Sequence, residues 1–111
     1  MIEKIIRDYL TEHLDAPVYT EQPKEKPIAY VVIERTGGSR ENMIRSATLA
    51  IQSYNKTMLT AAQLHERVIE LMNDSITLDA ISSVDINSEY NFTDTATKQY
   101  RYQAVFDIVY Y

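Results

Sequence analysis

The sequence predicts an α+β fold: one mixed or antiparallel β-sheet of four to five strands, with two helices packed on one face. Three observations carry this. Two stretches repeat apolar residues at helical spacing, three alternate at strand spacing beside one short β-branched run apolar on both parities, and their order is helix, short strand, two strands, helix, two strands. At 111 residues, the chain reads as a single domain spanning 1–111, long enough for one core but too short for a separate catalytic domain and lid.

Ile2, Ile5, Ile6, Tyr9, Leu10 and Leu14 recur at i, i+3, i+4 and i+7, with Glu3, Lys4, Arg7, Asp8 and Glu12 on the other side. Residues 2–14 are therefore expected to form an amphipathic helix that stops ahead of Pro17, because proline disfavours helical geometry in the residue before it. A short extended piece, Val18-Tyr19-Thr20, leads into the polar, proline-bracketed EQPKEKP, which reads as a surface loop.

Ile28 to Glu34 is apolar on both parities, the pattern of a strand covered on both faces. Arg45 to Tyr54 alternates more clearly, with Ala47, Leu49 and Ile51 against Ser46, Thr48 and Gln52. Between them, the Gly37-Gly38 pair permits positive φ, so a long hairpin with a projecting polar tip is expected there. Lys56 to Met72 carries a broad apolar stripe at helical spacing, with Asn55 placed to cap its start and Asn73-Asp74-Ser75 to end it. Ser82 to Ser88 reads as a short strand with Val84 and Ile86 inward, and Tyr90 to Thr97 as a polar connection.

The last fourteen residues, KQYRYQAVFDIVYY, form the longest alternating run. Tyr100, Tyr102, Ala104, Phe106, Ile108 and Tyr110 share one face and should close the core beneath the helices. The opposite parity begins polar and becomes apolar at Val105, Val109 and Tyr111. Together with the doubly apolar Ile28–Ile33 strand, it should leave a second sheet face that no element of the chain covers, and such a face calls for another subunit.

Composition narrows the function. There is no cysteine, which excludes disulfides, thiolate metal sites and thiol redox chemistry. A net charge of -5 opposes binding to a phosphate backbone, which needs clustered Lys and Arg. No apolar run approaches the roughly 18 residues of a membrane span, and MIEKIIRDYL mixes acids and bases unlike a signal peptide; a cytosolic protein is expected. Two sequons, at Asn55 and Asn91, carry no weight without a secretory signal.

No catalytic constellation emerges. His13 and His65 are the only histidines, and neither has a partner at metal-ligand spacing, since position 69 is Ile. Both read as ordinary helix positions. The carboxylates are scattered, and Asp85 with Glu89, or Asp94 with Asp107, could meet only by folding. Gly37-Gly38-Ser39-Arg40 lacks the phosphate-loop pattern and joins strand to strand, so it reads as a hairpin tip. The nine tyrosines could serve as stacking platforms, but most fall at core parities, which favours packing. No catalytic residue, cofactor or metal ligand is therefore assigned. The one concentrated basic feature is Arg35, Arg40 and Arg45, spaced through the hairpin, placed either in solvent or against carboxylates of a neighbouring copy.

The assembled pattern resembles a known family. MIEKIIRDYLTEHL, a proline-bracketed loop before YVVIERTGGSREN, an AIQSY strand leading directly into a helix, and a closing YNFTDTATKQYRYQAVFDIVYY are similar to the tail terminators of long-tailed bacteriophages and prophages of Gram-positive bacteria. These proteins are also called tail-completion, minor capsid or head-tail joining proteins. The resemblance spans essentially the whole chain and is strongest in the hairpin and the final strand. It implies a structural subunit, not an enzyme, assembled as a homo-oligomeric, typically hexameric ring. Such a ring caps the tail tube and meets the head connector, in the host cytoplasm during assembly and then in the virion. Its lumen, sharing the acidic charge of the chain, would let DNA pass without specific binding. Within the chain, Arg35, Arg40, Glu41 and Arg45 of the hairpin, with Val105, Val109 and Tyr111 of the final strand, are the expected oligomer-interface residues. The alternative is a small-ligand-binding or regulatory α+β domain whose sheet and helix pair enclose a pocket.

Overall fold

The computed structural model describes residues 1–111. Its elements run α1 (Ile2–His13), β1 (Val18–Tyr19), β2 (Tyr30–Glu41), β3 (Ile44–Asn55), α2 (Met58–Asp74), a single 3-10 turn (Ser75–Thr77), β4 (Ile81–Asn91) and β5 (Tyr100–Tyr110). The five strands make one sheet in the order β1-β2-β3-β5-β4, with β1 parallel to β2 and every other pair antiparallel. The fold is α+β, as the order of periodic segments predicts.

Both helices lay their apolar stripes on one sheet face. Ile2, Ile6 and Leu10 of α1 and Val68, Leu71 and Met72 of α2 meet Val31, Ile33, Leu49, Ile51, Ala104, Phe106 and Ile108 in one continuous core. Each large side chain buried here contributes about 1.5–3 kcal/mol. The Tyr9 hydroxyl ties the helices together by donating to the Leu71 carbonyl at 2.7 Å. β5 lies between β3 and β4, so the strand whose alternation runs longest in the sequence also sits inside the sheet and supplies the fully buried Phe106.

Four details differ from the sequence reading. The hairpin does not turn at Gly37-Gly38: neither glycine has positive φ, and the chain reverses at Asn42 (φ 50°) and Met43 (φ 67°), a two-residue connection. The glycines lie within β2, beside a bulge between Arg35 and Gly37. Gly38 is there for space: a Cβ would come within 2.7 Å of the Ser46 carbonyl oxygen and 2.8 Å of the Arg35 guanidinium. α2 is capped by Thr57, not Asn55; the Thr57 hydroxyl accepts from the Thr60 amide, and the Thr60 hydroxyl accepts from the Thr57 amide, a reciprocal box. β4 runs from Ile81 to Asn91, well beyond the expected Ser82–Ser88, with two bulges along it; Ile86 remains 41% exposed on this edge strand instead of buried. Finally, Ile28 lies outside β2 and is exposed.

The turn yields a direct prediction. A left-handed conformation costs a non-glycine residue about 1–2 kcal/mol, and Asn-Gly is the favoured pair for such a connection. Met43 is fully exposed, so Met43→Gly forfeits no packing and should raise the melting temperature, by an amount equivalent to about 1 kcal/mol. A lower melting temperature would show that the chain turns elsewhere.

Candidate assembly surface

The sheet face away from the helices divides into two halves. Toward the α2 end of β3, Tyr30, Val32 and Tyr54 form a second buried cluster with Tyr19 packed on it. The Tyr30 and Tyr54 rings stack at 4.4 Å between centroids. A chain of hydrogen bonds crosses the sheet beside them. Gln22 Nε2 donates to the Tyr54 hydroxyl at 2.8 Å, Tyr54 donates to Gln52 Oε1 at 2.9 Å, and Gln52 Nε2 donates to Gln103 Oε1 at 2.9 Å. Gln103 Nε2 then donates to the Tyr90 hydroxyl. This half is covered by the chain itself, correcting the expectation that nothing would cover it. The apolar parity at Tyr30 and Val32 is satisfied by residues 19–22 and by the glutamine ladder.

The other half is open. Val105 and Val109 are only half-buried, and Tyr111, just past β5, is 71% exposed. Ile44 and Met43 at the hairpin end are exposed as well. Between the valines in sequence, Asp107 accepts from the Thr48 hydroxyl at 2.9 Å and from Asn87 Nδ2 at 3.0 Å. Asp85 of β4 lies directly opposite Asp107. Thus Asp85 meets Asp107, while Glu89 turns to His65 and Asp94 sits in the β4–β5 loop. There the Asp94 carboxylate accepts from the Thr97 and Ala96 amides, and the hydrogen bonding with Thr97 holds its pKa below the usual value.

The hairpin arginines occupy the opposite, helix-side face, because they share the parity of Leu49 and Ala47 through the β2–β3 register. Arg35 is 3.6 Å from Glu3 of α1. The Arg45 guanidinium sits 5.0 Å from the centroid of the Tyr110 ring, close enough for a cation–π contact. Arg40 is directly opposite Arg45. Glu41, paired with Ile44, has the outer parity instead. The seven residues singled out in the sequence therefore form two groups on different faces: Arg35, Arg40 and Arg45 on one, and Glu41, Val105 and Val109 on the other, with Tyr111 at the sheet end.

One group of possible ligands was missed in the sequence because it spans two elements. His65, 2% exposed on the buried face of α2, has Nε2 3.0 Å from Glu89 Oε1, and Glu66 is close by. The carboxylate can only accept, so Nε2 is the donor of this bond. Nδ1 has no partner. A metal at Nε2 would force the proton onto Nδ1, where no acceptor waits to orient the ring, contrary to the usual build of a histidine ligand. The geometry suits a packed histidine, with Tyr102 5.1 Å away, ring to ring. His13 is exposed and donates from Nδ1 to the Tyr9 carbonyl at 2.8 Å.

The space between helices and sheet is filled by the core, and the largest hollows are surface grooves, one of about 540 Å³ beside Glu3 and Arg35 and one of about 480 Å³ beside Tyr30, Tyr54 and Tyr100. No helix is long and apolar enough to cross a membrane. No protein-family model matches the chain, and no curated protein matches it.

Proposed function

We propose that this protein is a structural subunit of a phage or prophage tail terminator, a homo-oligomeric and typically hexameric ring that caps the tail tube and joins it to the head. The observation that supports this reading best is the presence of two different unsatisfied surfaces on one small chain: the open half of the outer sheet face around Val105 and Val109, and the arginine face of the hairpin. A ring built by rotation needs two such unlike patches on each copy, whereas a two-fold dimer needs only one.

In this reading the chain performs no catalysis and holds no cofactor. Its partners are further copies of itself, the tail tube protein and the head connector. It acts in the bacterial cytoplasm during assembly and then in the virion. With 16 acidic against 11 basic side chains in each copy, the ring repels DNA phosphates, so the genome passes through the lumen unretained.

The genes flanking this one test the role. They are expected to encode head, connector and tail proteins; a neighbourhood without any of these would overturn the assignment.

A further inference from the structure

Two cross-strand pairs place like charges directly opposite one another. Arg40 faces Arg45 across β2 and β3, and Asp85 faces Asp107 across β4 and β5. Such pairs destabilise the sheet that carries them. Neither is neutralised within the chain, since the ion pairs present involve other residues. Asp107 is held only by the neutral donors Thr48 and Asn87. The register puts the arginines on the helix side of the sheet and the aspartates on the outer side, so the two pairs cannot meet inside one copy.

We infer that the hairpin of one copy lies across the outer sheet face of the next, with the Arg40 and Arg45 guanidiniums on the Asp85 and Asp107 carboxylates. This rests on the ring reading above and specifies the contact that builds the ring. Three features suit it. Guanidinium and carboxylate match in planar, two-point hydrogen bonding. Val105 and Val109 flank Asp107 on the same face and offer half-exposed apolar surface beside the ion pairs, which stay close enough to solvent for salt to weaken them. The hairpin half of β2 has a free outer edge, because β1 pairs β2 only at Val31 and Val32. A hairpin on a face is also a head-to-tail contact, the kind that propagates around a ring.

The test is a charge exchange read by sedimentation velocity at low salt. One variant carries Arg40→Glu with Arg45→Glu, the other Asp85→Arg with Asp107→Arg, and circular dichroism confirms that each is folded. The full wild-type chain is expected to associate as its concentration rises, and each variant alone to stay monomeric. An equimolar mixture is expected to associate again, because every hairpin then finds a face of opposite charge. If the exchanged aspartates fail to fold, Asp85→Asn gives a second reading: association at least tenfold weaker, with a higher melting temperature for the monomer. Variants that associate like wild type, or a mixture that stays monomeric while wild type assembles, would overturn this contact and leave the ring reading standing. A wild type that remains monomeric at every concentration would overturn both.

Discussion

Phe106→Ala is expected to destabilise the domain by about 3–5 kcal/mol, the usual result of removing a fully buried aromatic ring. Phe106 is 0% exposed and sits in the middle of β5, opposite Leu49 on β3 and Ile86 on β4. No large neighbour can swing into the space, since the adjoining positions on its own face of β5 are Ala104 and Ile108, both fully buried already. With domain stabilities of about 5–15 kcal/mol, the loss approaches the whole margin. Urea unfolding followed by circular dichroism measures it. The control is Val109→Ala on the opposite, half-exposed parity, expected to cost under about 1 kcal/mol in the monomer. Equal losses at the two positions would mean that β5 does not divide its faces between core and surface.

Gln103→Leu should cost about 1–3 kcal/mol, despite replacing a polar residue by an apolar one at a 9% exposed site. The substitution removes the acceptor of the Gln52 amide and the donor to the Tyr90 hydroxyl. Gln52 is itself nearly buried, so its amide cannot recover the bond from water. Replacing both glutamines with leucine is expected to cost clearly less than the sum of the two single changes, because the orphaned partner disappears with the bond. Simple additivity would show that the two side chains do not depend on each other.

The elements that announce themselves by a single period were legible in the sequence. α1, α2, β3 and β5 each follow one period for ten residues or more, and the structure places them within a residue or two of where that period puts them. Features that depend on strand register were not legible. The parity holding Gln52 and Gln103 looked like a wet face, and only their placement directly opposite each other turns it into a buried ladder. The same is true of Arg40 with Arg45 and Asp85 with Asp107, and of His65 with Glu89. Glycine's tolerance of positive φ points to Gly37-Gly38 as the turn, yet neither glycine adopts it. At Gly38 the constraint is the room left by Arg35 and the Ser46 carbonyl, while Asn42 and Met43 carry the positive φ values. The cap shifted from Asn55 to Thr57 because Asn55 is still the last residue of β3, and its side chain reaches the Lys56 amide and the Thr60 carbonyl instead.

Of the seven expected contact residues, the arginines and the valines fall into two surfaces of different character. Arg40 and Arg45 carry charge that no carboxylate of the same chain balances, and Val105 and Val109 border a pair of carboxylates that no cation balances. One chain thus displays two unlike surfaces of opposite charge, and a ring of the kind proposed needs two unlike patches on each copy.

Multi-angle light scattering of the 111-residue chain across a concentration series, at low and at high salt, tests this account most directly. It predicts growth from the 12.8 kDa monomer to a closed species of fixed size, six copies in the ring proposed here, and dissolution of that species as salt screens the contact. A particle that stays at the monomer mass throughout, or that grows without limit and ignores salt, would contradict it.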